Sequence, residues 1–105
     1  MKHYRVEIMP TARAGLLEIG EYIALDNPTR AMSFIDEITG LLQKQLSLFP
    51  LSGKVAEDLD MDEEIRMLPH GNYNSYYRVI EGKQLVEVLY VFNGSRDIQA
   101  LMAEL

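Results

Sequence analysis

Leu85-Val86-Glu87-Val88-Leu89-Tyr90-Val91-Phe92 is the stretch that decides the fold. Val86, Val88, Tyr90 and Phe92 alternate with Leu85, Leu89 and Val91, so both faces of a strand here are apolar apart from Glu87. A strand apolar on both sides belongs inside a sheet, where each face is covered. Asn93-Gly94-Ser95 stops it. Working backwards, Tyr73 to Ile80 and Ile65 to Leu68 carry the same β-rich pattern, separated by Glu81-Gly82-Lys83 and by His70-Gly71-Asn72. Glycine and asparagine in connections this short mark tight turns, so consecutive strands are expected to pair.

Upstream, the period changes from two to that of a helix. Asn27 can cap free amides while Pro28, at the first helical position, forfeits no hydrogen bond. The residues Ala31, Phe34, Ile35, Ile38, Leu41, Leu42, Leu48 and Phe49 then trace an apolar stripe, broken at Gln45, through a long helix ending before Pro50-Leu51-Ser52-Gly53. Leu16, Ile19 and Ile23 have helical spacing too, after Pro10 and a possible cap at Thr11. That helix ends near Asp26, so the two form an antiparallel hairpin. His3 to Ile8 alternates as a half-buried strand, with Tyr4, Val6 and Ile8 on one parity. Ser95 is a candidate cap for a tail helix with Ile98, Leu101, Met102 and Leu105 inward. The expected fold is α+β, in the order β-α-α-β-β-β-α: a helical hairpin packed on a mostly antiparallel sheet, one domain over residues 1–105.

Composition narrows the chemistry. With 105 residues, 48% apolar and 25% charged, the chain can bury a core without a staple. It has no cysteine, which excludes disulfides, thiolate metal sites and cysteine nucleophiles. The N-terminus is charged where a signal peptide needs an apolar stretch, and no run is long enough to span a membrane, so a cytoplasmic protein is expected. Net charge is −6, yet Glu57, Asp58, Asp60, Asp62, Glu63 and Glu64 fall within eight residues lacking any base. Without those six acids the ten bases meet ten acids, so the body is neutral and carries one acidic segment, expected to be a surface loop. Nothing here draws the molecule onto nucleic acid at long range.

The order of elements and several short stretches together resemble the RelE/ParE toxins over nearly the whole chain. The stretches are Asp26-Asn27-Pro28 with Ala31 and Phe34-Ile35, then Phe49-Pro50 with Gly53-Lys54, then Ile65-Arg66-Met67-Leu68, Tyr73, Tyr76-Tyr77-Arg78-Val79 and Val91-Phe92-Asn93-Gly94-Ser95-Arg96-Asp97. The resemblance implies the toxin of a type II toxin-antitoxin system, silenced by an antitoxin that folds along it. It implies one of two actions: in the ParE branch, binding DNA gyrase and trapping it on cleaved DNA; in the RelE branch, cutting mRNA on the ribosome. Asn93 stands where many relatives carry His before the glycine, and Ser95 where a second base often precedes the arginine. These departures, the acidity and the long second helix favour the ParE branch. A third possibility is a module that binds an antitoxin and poisons nothing.

A ribonuclease of the RelE kind must activate a ribose hydroxyl, stabilise charge on phosphate and protonate a leaving oxygen. The residues matching such roles are Lys54, Arg66, Arg78 and Arg96, with Tyr76 sharing the strand parity of Arg78 as a candidate acid. The alternative is that Arg66 and Arg78 pair with the acidic segment or with the antitoxin. No cofactor is expected. No metal is expected either: His3 and His70 have no ligand spacing, and His70 reads as an exposed turn residue. Asp58-Leu59-Asp60-Met61-Asp62 opens like a calcium loop, but Glu63 replaces the glycine and Pro69 the chelating glutamate. Ser52-Gly53-Lys54 lacks the first glycine of a phosphate loop.

Overall fold

The computed structural model describes residues 3–57 and 62–94. The tail helix expected after Ser95, Arg96 within it, and the centre of the acidic segment lie outside the described residues. The elements run β1 (Arg5–Ile8), α1 (Pro10–Ala24), α2 (Pro28–Leu48), β2 (Lys54–Val55), β3 (Arg66–His70), β4 (Tyr73–Ile80), a 3-10 turn (Glu81–Lys83) and β5 (Leu85–Asn93). The strands form one sheet in the order β1-β5-β4-β3-β2, antiparallel throughout except that β1 runs parallel to β5. The α+β expectation holds, with β5 inside the sheet as its two apolar faces required. The two-residue strand β2 was not anticipated, because two residues carry no readable period.

Asn27 caps α2 as expected: its side chain accepts a hydrogen bond from the Arg30 amide at 3.0 Å, and Pro28 follows. Thr11 does not cap α1. Pro10 already starts the helix, so the cap falls on Met9, which offers no side-chain bond, and Thr11 lies within the first turn. Its hydroxyl donates instead to the Leu89 carbonyl oxygen. That carbonyl needs a partner because Leu89 is a β-bulge: Tyr76 pairs with Tyr90 and Tyr77 with Val88, leaving Leu89 without an opposite residue.

The bulge also corrects the reading of β5. A single extra residue reverses the side-chain parity beyond it. Val86, Val88 and Val91 therefore face the helices together and join the main core, while Tyr90 and Phe92 lie with Glu87 on the opposite face. Phe34, Ile38, Leu42 and Leu46 from α2, with Ala12, Leu16 and Ile19 from α1, pack onto this valine row, Val6, Leu68 and Tyr77. Burying side chains of this size contributes about 1.5–3 kcal/mol each. The α2 stripe differs from expectation at its end: Leu46 is buried, whereas Phe49, just past the helix, is 63% exposed.

The hairpin sits very close to the sheet at one point. A Cβ added to Gly15 would lie 2.6 Å from the Val91 carbonyl oxygen, a backbone atom that cannot swing away. Gly15→Ala is expected to cost about 1–3 kcal/mol of overpacking strain. Gly40, also in a helix, has nothing within 4 Å, so Gly40→Ala should instead stabilise by about 0.5–1 kcal/mol. Urea unfolding of the pair checks both signs, and equal effects would refute the close approach.

One sheet edge is closed by groups of the two helices. Along β1 the Tyr4 amide donates to Ser47 O, the Val6 carbonyl accepts from Gln43 Nε2 at 3.2 Å, and the Ile8 carbonyl accepts from Arg13 Nε at 3.0 Å. Helices thus occupy the positions a neighbouring strand would use. Among the described residues, no helix is long and apolar enough to cross a membrane.

Candidate functional site

The turn between β3 and β4 sets which residues share a face. Gly71 takes a positive φ of 59° at the first central position of a two-residue connection, the conformation that suits a tight hairpin with glycine in that place. His70 then pairs with Tyr73, and counting along the ladder puts Arg66 opposite Tyr77, and Arg78, on the far side of β4, opposite Glu87. Paired residues share a face and successive residues alternate. Arg66 and Arg78 therefore project to opposite faces of the sheet, Arg66 towards the helices and Arg78 away from them.

On the outer face, Lys54 pairs with Met67, Met67 with Tyr76, and Tyr76 with Tyr90, so one row crosses four strands. Arg78 follows two residues along β4. Of the candidate residues, the structure thus gathers Lys54, Tyr76 and Arg78 on one face and leaves Arg66 on the other. Tyr76 is buried; Lys54 is exposed. Tyr90 and Phe92 stack nearby, with ring centroids 5.5 Å apart and planes 13° from parallel. No group of three or more His, Cys, Asp or Glu able to hold a metal occurs among the described residues.

Both arginines are engaged within the chain. Arg78 donates through Nε to Glu87 Oε1 at 2.7 Å and through Nη1 to the two Glu63 oxygens at 2.8 and 2.9 Å. Hydrogen bonds to Glu87 and then Glu63 raise its already high pKa further, so it is a fixed cation. Arg66 donates through Nη1 to the carbonyls of Leu51 and Gly53 at 3.1 and 2.8 Å, and its Nη2 lies 2.9 Å from Glu64. It therefore ties the chain leaving α2 to the start of β3. Beside it the Gly53 amide donates to the Tyr77 hydroxyl at 2.8 Å, and burial pushes the Tyr77 phenol up from its usual pKa. A Cβ at Gly53 would lie 2.5 Å from that hydroxyl. Gly53 beside Lys54 thus serves packing, which explains a motif that fails as a phosphate loop.

His70 is the last residue of β3, packed 5.6 Å from the Phe34 ring and 3.9 Å from Glu37 Oε2. It is half-buried, where an exposed turn residue was expected, because the strand runs two residues further than Leu68 and carries it under α2. Glu37 also meets Arg30 at 3.0 Å, and that bond holds its carboxyl below the ordinary pKa.

The sequence model of one protein family, described as the ParE toxin of type II toxin-antitoxin system, parDE, matches residues 6–98. The chain belongs to that family. As a ParE-family member it is a toxin of the RelE/ParE superfamily of type II toxin-antitoxin systems. Solved structures share the fold. The toxin-antitoxin complex RelBE2 from Mycobacterium tuberculosis aligns with TM-score 0.65 at 23% identity, covering 89% of this chain and 93% of the other. The chromosomal ParDE system from P. aeruginosa aligns at 0.68 and 19% identity, covering 87% and 96%. The isolated E. coli RelE toxin aligns at 0.59 and 15% identity, covering 96% of each chain. No curated protein matches the sequence. Structures of both the RelE and the ParDE kind therefore share this fold, and the fold alone does not choose between the two actions.

Proposed function

We propose that this ParE-family toxin acts on DNA gyrase in the manner of the ParE branch and is neutralised by a cognate antitoxin. The observation that carries the reading is the engagement of its arginines. Arg66 and Arg78 lie on opposite faces, and each is held by carboxylates or carbonyls of its own chain. Phosphoryl chemistry without a metal needs cations and proton-transfer groups converging on one reacting phosphate. A net charge of −6 adds no attraction for ribosomal RNA.

Support for an antitoxin comes from the hairpin, whose outer surface exposes Leu17, Tyr22, Leu25 and Met32 at 65%, 70%, 83% and 73%. Large apolar side chains left this open favour a protein partner. The solved complexes named above contain antitoxins, which makes the same kind of partner the natural occupant here. The runner-up, a RelE-like ribosome-dependent endonuclease acting on mRNA, draws on Lys54, Tyr76 and Arg78 sharing the outer face.

The test adds purified, antitoxin-free protein to gyrase with supercoiled DNA and, separately, to translating ribosomes. Trapped cleaved DNA with intact message is the expected result. Codon-positioned cuts that vanish in Arg78→Lys would replace the gyrase reading with the endonuclease. Inactivity in both assays would favour an antitoxin-binding module without a target.

A further inference from the structure

The guanidinium of Arg78 has two ends with different surroundings. Its inner end is committed to Glu87, its direct cross-strand partner, whose Oε1 lies 2.7 Å from both Nε and Nη2. Glu87 stands on an interior strand with its side chain only 12% exposed, so this contact is part of the sheet. The outer end, Nη1, meets both oxygens of Glu63, which belongs to no strand and whose side chain is 44% exposed. One partner is built in, and the other reaches over from the connection before β3.

The geometry points to a tethered substitute: we propose that the outer end of Arg78 is a docking site for a carboxylate of a protein partner, which Glu63 fills in the isolated chain. Arg78 and Glu87 neutralise each other, so Glu63 adds one carboxylate beyond neutrality. A partner's single Asp or Glu puts one carboxylate in its place on Nη1 and brings only one charge near the displaced Glu63. A nucleic-acid strand fares worse, because its many phosphates must approach Glu57, Asp62, Glu64 and the displaced Glu63. The Nη1 nitrogen already holds both oxygens of a carboxylate, at 2.8 and 2.9 Å, in charge-assisted hydrogen bonds.

Tethering explains why the site is filled and also why it can open. A short connection presents Glu63 at an effective concentration of millimolar order, enough to exclude dilute anions. An exposed ion pair is weak, however, and a partner that positions its carboxylate with other contacts can displace it. Such contacts are at hand, since the stacked Tyr90 and Phe92 lie on the same face as Arg78.

The experiment uses the full chain labelled with ¹⁵N-arginine, as wild type and as Glu63→Ala, with Arg78→Lys identifying the Arg78 side-chain signals. Acetate and inorganic phosphate are the probes, titrated separately at constant ionic strength. The Arg78 signals of Glu63→Ala are expected to move saturably with acetate at concentrations about two- to fivefold lower than in wild type, as the weakness of an exposed pair dictates. Phosphate should bind no more tightly than acetate. The same response in both proteins, or none in Glu63→Ala, overturns the substitution of Glu63 for an outside anion. Tighter binding of phosphate overturns the carboxylate assignment and gives the site to nucleic acid. Backbone spectra report folding, and Glu63 is exposed enough to be removed without disturbing the core. The titration needs no gyrase, so its failure and a failure of the gyrase reading are separate results.

Discussion

Leu42→Ala is expected to remove about 2–5 kcal/mol of stability. Leu42 is 1% exposed and lies between Ile38 and Leu46, both fully buried, one helical turn to either side. Those neighbours are held by the sheet beneath, so they cannot collapse into the space left behind, and the cost is the lost burial plus an unfilled cavity. Because the protein's total stability is expected to be about 5–15 kcal/mol, this one change brings it close to unfolding. Phe49→Ala, at the exposed position beyond the helix end, should cost far less. Reversible urea unfolding of both variants checks the contrast, and a loss below about 0.5 kcal/mol for Leu42→Ala would remove α2 from the core.

The second large effect is electrostatic. Arg78→Ala leaves Glu87 nearly buried with its cation gone, and breaking a buried pair from one side costs about 3–5 kcal/mol. The partial exposure of Arg78, at 34%, places the expectation at the lower end of that range. Removing the outer partner alone is much milder. Glu63→Gln should cost about 0–1 kcal/mol and lose even that at high salt, because the pair stands in water. The double variant Arg78→Met with Glu87→Leu takes away both charges and should recover most of what Arg78→Ala loses. A recovery of nothing would mean that Arg78 stabilises through its packing and not through Glu87.

Legibility in the sequence followed physical cause. The Asn27-Pro28 start of α2 was readable because a cap and a proline act within a few residues of chain. Thr11 misled because the same local rule was pre-empted: Pro10 moved the cap to Met9, and the hydroxyl was drawn to a carbonyl 78 residues away. The bulge at Leu89 was hidden, since an extra residue shows only against its partner strand. Its effect was to move Tyr90 and Phe92 to the other face from Val86 and Val88. The candidate site was half legible. Pairing of Arg66 and Arg78 with acids of the segment before β3 was one reading the charges offered, beside pairing with an antitoxin, while Glu87 as the inner partner needed the register. The opposite facing of the two arginines was available in principle, because a two-residue turn at Gly71-Asn72 fixes the count along both strands. The row of Lys54, Met67 and Tyr76 was not, as β2 is too short to declare itself.

The parallel seam between β1 and β5 has a consequence for how the molecule comes into being. β1 has one strand neighbour, and its partners Leu85 to Val88 come 80 residues later. Its other edge is dressed by groups from α1 and α2. Contacts between such distant parts of a chain form slowly, since the intervening loop must be closed before they bring any gain. Of the described strands, β1 precedes the others in the chain, and its pairing waits for the last of them. Until β5 has emerged from the ribosome, the hairpin helices have no valine row to cover, and the outer face that bears Arg78 has no Glu87. Four of the five described strands are thus translated before the face that carries the proposed carboxylate site is complete.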